Sequence, residues 1–259
     1  MNKVIRAEFG RTINAGLIIA IAGIIFSICF DSFNDLIAGL RNGQGYVGYF
    51  FSNAAFGGMC THYMLPVFTA LPFSVSLCQE RNNKAVSYIV SREGKNRYIF
   101  AKFIVSAISG GFVAACGTVL LFLMLAMRFP IAGDEFEGAV VSDYFHEWSA
   151  VYYPQLYILT LSILAFCRGV IWSSLALCVS LYTSDFMVVL LSPFLGSYVL
   201  VRIFQIIRVP DMVRPDMILI GQVVIKSSGL TLIIAIAISL TIVTLIGAFF
   251  VGKMKEGLK

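Results

Sequence analysis

The chain has 259 residues, of which 59% are hydrophobic and only 13% are charged, and its mean hydropathy is +0.87. Soluble globular domains are about 45–50% apolar and about 25% charged, so this composition excludes an ordinary water-soluble fold. The net charge of +5 is carried by short segments between apolar runs. A nucleic-acid partner would require a basic folded domain, and the chain has no room for one.

Six apolar runs are each long enough to cross a membrane as a helix. A hydrocarbon layer of about 30 Å needs about 20 residues of helix, and in lipid the backbone N–H and C=O groups must be satisfied within the protein. The runs lack the alternation of barrel strands. We therefore predict an all-α integral membrane bundle, one transmembrane domain over residues 1–259, with spans at Ala15–Phe33, Met59–Leu77, Phe103–Met127, Leu156–Leu181, Phe186–Ile207 and Gly229–Gly252.

Residues 1–12 precede the first span and have the pattern of a helix that lies on the membrane surface. The apolar residues fall on one side and the basic residues on the other, Val4, Ile5 and Phe9 opposite Lys3, Arg6 and Arg11. The first span is long and no small-residue cleavage site follows it, so we expect a retained helix rather than a signal peptide.

The basic residues predict the orientation, because Lys and Arg near the ends of spans stay on the cytoplasmic side. With the N-terminus inside, most of the 19 Lys and Arg residues are cytoplasmic: Lys3, Arg6, Arg11, Arg81, Lys84, Arg92, Lys95, Arg97, Lys102, Lys253, Lys255 and Lys259. We therefore expect a multi-pass protein of the cell membrane with both termini in the cytoplasm.

The most highly charged stretch is the cytoplasmic loop predicted at residues 78–98. Within it, Lys84–Val90 can form a short amphipathic helix that ends at Gly94, with its apolar residues clustered, Ala85, Val86, Ile89 and Val90. A rod of this kind at the inner face of the membrane is suited to passing a push from a cytoplasmic partner into the flanking spans. The alternative is an ordinary positively charged loop.

Small residues and prolines mark the middle spans. Ser106, Gly110, Ala114 and Thr118 recur at intervals of four and allow a neighbouring backbone to approach closely, either within the subunit or at a dimer seam. Prolines should bend two spans, Pro66 and Pro72 in the second and Pro193 in the fifth.

The predicted outer loop, residues 128–155, is acidic. Asp134, Glu135, Glu137 and His146 have no recognised metal-ligand spacing, so a solvated loop is the better interpretation. A second outer segment, residues 208–228, should be a hairpin. Pro215–Ile225 within it is predicted to be a short re-entrant helix before the last span, too short to cross.

Arg168 is the ionisable side chain predicted near the middle of a span. Burying such a group costs about 2.5–3.5 kcal/mol on insertion scales, so it must find water, carbonyl groups or an anion. It either places a positive charge in a translocation path or is satisfied by backbone carbonyls or a subunit seam.

Motifs of familiar catalytic sites are missing from the sequence. It has neither a phosphate-binding G-x-x-x-x-G-K-[ST] loop nor G-x-S-x-G nor H-E-x-x-H, and its only histidines are His62 and His146. The six cysteines lie in or beside the spans without a framework spacing and should pack as apolar residues. We expect no enzyme activity, cofactor or metal site in this chain.

The loop also carries a family resemblance. Glu80, Arg81, Asn82, Ile89, Ser91, Arg92, Arg97, Ala101 and Lys102 resemble the pattern E-x-x-x-G-T-x-x-x-L-L-S-R-P-x-x-R-x-x-x-x-A-K, found after the second span in membrane subunits of type-two ATP-binding-cassette transporters. Asn83 and Lys84 stand in place of the Gly-Thr pair, and Glu93 in place of the Pro.

The resemblance implies a permease subunit of an exporter that forms the translocation path. A coupling helix in the 79–97 loop would enter a cleft on a separate ATPase subunit through Glu80, Arg81, Lys84, Ala85, Val86, Ile89, Val90, Ser91 and Arg92. It also implies two ATPase copies and a second permease subunit, identical or different. A self-contained secondary transporter or channel is the alternative, and a non-transporting membrane anchor remains a third hypothesis.

Overall fold

The computed structural model describes residues 2–42, 47, 50, 58–131 and 153–257, and this part of the chain folds into helices and turns without a β-strand. The helices in chain order are α1 (Asn2–Thr12), α2 (Ala15–Asp31), α3 (Phe33–Asn42), α4 (Met59–Ala70), α5 (Ser76–Asn82), α6 (Ala85–Glu93), α7 (Lys95–Ala126), α8 (Pro154–Val179), α9 (Phe186–Ile207), α10 (Pro215–Ile220) and α11 (Ser228–Gly257). A 3-10 turn, Asp211–Val213, precedes α10. The all-α prediction is confirmed for these residues.

Four of the described helices are long and apolar enough to cross a membrane: α7, α8, α9 and α11. A fifth candidate arises if α1 and α2, which are bent by 57° at a short break, count as one element. α2 alone has 17 residues. The prediction of six spans is therefore confirmed only in a coarser form, as a helical bundle with four or five candidate spans.

The predicted second span, Met59–Leu77, is not one continuous helix. Residues 71–75 separate α4 from α5, and Pro72 among them has no backbone N–H with which to continue a helical ladder. The hydroxyl of Ser74 donates to the carbonyl oxygen of Ser173 in α8, at 2.9 Å. The break is therefore fastened to the bundle.

α8 is the central helix of the described bundle. It packs along α7 and also contacts α4, α9, α10 and α11. The main hydrophobic core surrounds it and draws buried side chains from α2, α7, α8, α10 and α11, among them Ile24, Val113, Leu161, Leu164, Leu219 and Ala235. A displacement of α8 would therefore disturb its packing against α4, α7, α9, α10 and α11.

Glycines bring the backbones of α7 and α8 into contact. A Cβ atom added at Gly169 would overlap the backbone of Gly110, and one added at Gly110 would overlap the side chain of Ser173. The row of small residues predicted in the third span is buried within the subunit, Ser106, Gly110, Ala114 and Thr118. Of the two interpretations of this row, packing inside the subunit is confirmed.

The short helix after α9 ends earlier than predicted. α10 stops at Ile220 because Gly221 adopts a left-handed backbone, φ +88°, and its N–H bonds back to the carbonyl of Met217 at 3.1 Å. The prediction of a helix over Pro215–Ile225 is therefore wrong at its C-terminal end. The last residues of α10 are buried in the main core, where they contact α8 and α11.

The glycine contact makes a stability prediction. Gly169→Ala should lower the free energy of unfolding by about 1–3 kcal/mol, because the new methyl group has to push apart two packed backbones. The matched control is Gly252→Ala in α11, where an added Cβ meets nothing within 4 Å. Thermal unfolding in detergent should show a drop of several degrees for the first variant and none for the second. Equal stability of the two variants would contradict this packing.

Candidate functional site

Five side chains from α1, α5 and α7 form a polar group, here called the ionic cluster, which is buried except at Arg11, whose side chain is 53% exposed. Its members are Glu8, Arg11, Glu80, Tyr98 and Lys102. The ammonium of Lys102 donates to Glu80 at 2.6 Å and to Glu8 at 3.3 Å. Arg11 donates to the same two carboxylates, at 2.6 Å and 3.3 Å. The hydroxyl of Tyr98 donates to the second oxygen of Glu80 at 2.5 Å. Three helices therefore meet at one carboxylate.

The ionic cluster is balanced in charge and largely closed to solvent. Lys102 is 0% exposed, and Glu8 and Glu80 are 4% and 8% exposed. Two carboxylates face two cations, and the ammonium of Lys102 also lies over the ring of Phe73, 4.8 Å from its centre. Removing one member of such a group strands a buried charge, which costs about 3–5 kcal/mol. The cluster therefore holds α1 and α5 against the start of α7.

Most of the ionic cluster was not predicted from the sequence. From the sequence, Arg11 is predicted as a basic residue of the surface helix and Lys102 belongs to the family resemblance, and both also count as charges that set the orientation. Glu8 and Tyr98 carry no prediction. Two spacings could have drawn attention to it: Glu8 and Arg11 lie three residues apart, and Tyr98 and Lys102 lie four residues apart on one helical face. Nothing in the sequence indicates that these two pairs meet, because the contact joins segments about 90 residues apart.

The predicted amphipathic helix is present as α6, between two residues with positive φ, Lys84 at +54° and Gly94 at +84°. Its apolar residues Val86, Ile89 and Val90 pack against a second core cluster built from α5, α7, α8 and α11, Leu77, Tyr98, Ile99, Leu177, Cys178, Phe250 and Met254. The apolar face of α6 is therefore engaged inside this chain.

The outward face of α6 is polar. Its exposed residues are Lys84, Ser87, Tyr88, Ser91 and Arg92, and Tyr88 is the most prominent, with 77% of its surface exposed. Ser87 and Tyr88 were not among the predicted coupling residues. Of the predicted residues, Glu80 lies in the ionic cluster and Ala85 is half-buried.

Arg81 ties the same loop to the end of α8. Its guanidinium donates to the carbonyl oxygens of Ser180 and Leu181, at 2.9 Å and 2.7 Å. Basic side chains are favoured at such positions because the last carbonyls of a helix carry partial negative charge. Beside this contact a cleft of about 820 Å³ opens between α6 and the C-terminal part of α11, lined by residues that include Lys84, Ser87, Lys253 and Glu256.

Arg168 lies at a cavity inside the bundle. Only 7% of the residue is exposed. The cavity has a volume of about 160 Å³, and its walls come from α4, α8, α9, α10 and α11, including Ile171, Trp172, Leu175, Val201, Leu219 and Ile242. These walls are mainly apolar, so the guanidinium is the dominant charge within them.

Within the part of the chain that the structure describes, Arg168 makes no hydrogen bond or ion pair. The nearby carboxylate of Asp216, which also lines the cavity, is already engaged by Arg214 at 2.7 Å. The hydrogen bond from this guanidinium to Asp216 raises the pKa of Arg214 above its usual value. Of the predicted alternatives for Arg168, the described residues supply no backbone carbonyl contact, and a translocation path and a subunit seam stay predictions.

The first turn of α4 brings two further polar groups close to Arg168. Asp31 fixes this turn by accepting backbone N–H groups of Cys60 and Thr61, at 2.9 Å and 2.6 Å. Among the described residues, the buried Nε2 atom of His62, whose side chain lines the main cavity, has no hydrogen-bond partner. The same holds for the hydroxyl of Thr61, which lines a small adjoining cavity together with Arg168.

No other chemistry of a familiar kind is apparent in the described ranges. They contain no group of three His, Cys, Asp or Glu side chains that could hold a metal ion, and Asp134, Glu135, Glu137 and His146 lie outside them. Cysteines pack into the core clusters as expected, for example Cys167 and Cys178. Comparison of the chain with protein-family models, with curated proteins and with solved structures found no match.

The ionic cluster makes a second stability prediction. Lys102→Met should lower the free energy of unfolding by about 3–5 kcal/mol, because it leaves two buried carboxylates with one cation. Lys255→Met, the same change at an exposed site, is the control and should alter stability by less than about 0.5 kcal/mol. Unfolding in mixed detergent micelles measures both.

A double variant tests whether the members of the cluster act together. Adding Glu80→Gln to Lys102→Met restores the charge balance, so the double variant should be at least about 1 kcal/mol more stable than the sum of the single losses. Strict additivity, or a Lys102→Met variant as stable as Lys255→Met, would show that the cluster is not coupled.

Proposed function

We propose that this chain is the permease subunit of an exporter, driven by a separate ATPase that docks on α6. The observation that carries the proposal is the construction of the loop: α6 offers a polar outward face while its apolar face, the ionic cluster and Arg81 attach it to α5, α7, α8 and α11. An ordinary loop between two spans needs none of these attachments. The resemblance to membrane subunits of type-two ATP-binding-cassette transporters supports the same proposal.

The attachments give a route for mechanical work. A push on α6 acts on Leu177 in α8 through the second core cluster, and on the end of α8 through Arg81. Arg168 lies about nine residues from Leu177, or about 13 Å along the helix axis. A shift or tilt of α8 therefore reaches the Arg168 cavity directly, and the backbone contact with α7 carries that helix along.

The proposal divides the predicted coupling residues into two groups. Lys84, Ser91 and Arg92, joined by Ser87 and Tyr88, would meet the ATPase together with the cleft beside them. The remaining residues would act inside the permease by holding the loop to the spans, Glu80, Arg81, Ala85, Val86, Ile89 and Val90. The ATPase would therefore contact the polar face of α6 and not its apolar face.

The proposed arrangement in the membrane has six spans with both termini in the cytoplasm. α2, the α4–α5 pair, α7, α8, α9 and α11 would be the spans, and the end of the bundle that carries α6 and the ionic cluster would face the cytoplasm. The excess of Lys and Arg at that end supports this orientation. Two copies of the ATPase and a second permease subunit, identical or different, complete the assembly, which places no catalytic residue in this chain.

The interrupted α4–α5 element is the observation that favours the second candidate, a secondary transporter. Discontinuous helices at the binding site are a feature of that class. Ion-coupled transport also requires ionisable groups along the path. At the cavity these are Arg168 and Asp216, and Asp216 is already ion-paired with Arg214. The permease proposal accounts for the construction of α6 as well, so it is the stronger of the two.

The docking surface predicts a specific loss of coupling. In a complex purified through a tag on this chain, Tyr88→Ala should reduce ATP hydrolysis by the bound ATPase about tenfold or release the ATPase, because it removes the most exposed ring of α6. Thermal stability of the permease should stay unchanged, since Tyr88 is 77% exposed. The control is Tyr153→Ala, a ring 60% exposed before α8, which should leave hydrolysis unaltered.

Two results would count against this docking surface. One is full ATP hydrolysis in the Tyr88→Ala complex. The other is a complex of wild-type chain that transports without nucleotide and depends on an ion gradient, which is the behaviour of a secondary transporter.

A further inference from the structure

The Arg168 cavity combines a buried cation with apolar walls and open space. Charged side chains inside a membrane bundle are costly and generally find a partner. Arg168 is 93% buried, since 7% of its surface is exposed, and no acceptor within the described residues meets it. Asp216 lines the same cavity but is held by Arg214, which also pairs with Asp211. Arg168 is therefore the cation of this cavity that lacks a hydrogen-bonded carboxylate among the described residues.

We infer that this cavity binds the anionic head group of an amphiphile, a single carboxylate or phosphate carried by an apolar chain. A planar guanidinium presents two parallel N–H groups to such an oxyanion and binds it through both. His62 Nε2 in the same cavity, and the Thr61 hydroxyl in the small adjoining cavity that Arg168 also lines, are further hydrogen-bonding groups without a partner among the described residues. These features point to a negatively charged ligand.

The walls indicate the rest of the ligand. A volume of about 160 Å³ accommodates a head group and a few methylene groups, because an apolar cavity of about 150 Å³ takes up a molecule the size of benzene. Leu200 on α9 lines the cavity and is 37% exposed, so this side chain lies between the cavity and the outer surface of that helix. We expect a longer apolar chain to leave past Leu200 toward lipid, whereas a free inorganic ion would gain nothing from these walls.

That the bound amphiphile is transported cargo rests on the proposed permease function. That the cavity binds it does not depend on that function. Two sources share the ligand chemistry: a transported single-chain amphiphile and an anionic lipid of the surrounding bilayer. The test uses the purified chain without an ATPase. Its failure is therefore separate from any failure of the docking surface on α6.

The experiment measures binding of a fluorescent polyene fatty acid to the full chain in a neutral maltoside detergent. Dodecanoate and dodecyl phosphate should displace the probe, whereas dodecanol, acetate and inorganic phosphate should not. Arg168→Gln should weaken binding at least tenfold. The control is Arg202→Gln, which removes a guanidinium exposed on the outer surface of α9 and should leave binding unchanged.

Thermal unfolding provides the second readout. Dodecanoate should raise the melting temperature of the wild-type chain and have no effect on Arg168→Gln, because a ligand stabilises only the protein that binds it. Without ligand, Arg168→Gln should be at least as stable as the wild type, since it removes an unpaired buried charge. A strongly destabilised variant would mean that Arg168 already has a partner, and would overturn the inference.

A third measurement separates the two sources. Native mass spectrometry of the chain from bilayers containing phosphatidylglycerol shows whether that lipid is retained through Arg168. Retention that is lost in Arg168→Gln and not displaced by dodecanoate identifies a bilayer lipid as the occupant. Displacement by dodecanoate identifies the single-chain amphiphile. Equal displacement of the probe by dodecanol and dodecanoate, or no binding of either anion, would overturn the inference.

Discussion

The rest of the structure depends on the contact between Lys102 and Glu80. These two side chains are buried with Glu8 and Tyr98 at the point where α1, α5 and α7 meet, and the half-exposed Arg11 covers them from outside. A charge in this position is stable only while its partners stay in place. The three helices are therefore held in one arrangement at the end of the bundle where the charged loop is attached. The ionic cluster thus acts together with the packing of Val86, Ile89 and Val90 and with the contacts of Arg81 in fixing the position of α6.

α8 connects the two parts of the molecule that matter for function. Its C-terminal end receives Arg81 and packs against α6, and its middle carries Arg168 into the cavity. On the same helix, Gly169 contacts the backbone of α7 at Gly110, and Leu219 and other α10 residues are buried in the core around it. In the proposed permease, α8 would carry a movement from the docking surface to the Arg168 cavity, over about 13 Å along the helix axis between Leu177 and Arg168.

The sequence predicts local features of this molecule well and long-range contacts poorly. Apolar runs, the α6 helix and its end at Gly94 follow from composition, helical periodicity and the freedom of glycine. The break near Pro72 was expected only as a bend, because proline sets no limit on how far a helix is interrupted. The ionic cluster could not be predicted, since it depends on which charges meet across the fold. Arg168 is identified from its depth in an apolar run. The cavity around it could not be predicted, because its walls include residues of α9 and α10 that are distant in sequence.

The most direct measurement of the central claim is the distance between α1 and α7 in the complex with the proposed ATPase. Spin labels introduced as unnatural amino acids at Arg6 and Arg97, both exposed, report this distance by pulsed electron resonance. If the ionic cluster joins the helices into one body, the distance is the same with and without bound nucleotide. A shift of more than about 5 Å between the two states would contradict that claim, because a turn of helix spans about 5.4 Å and the cluster could not remain closed across such a movement.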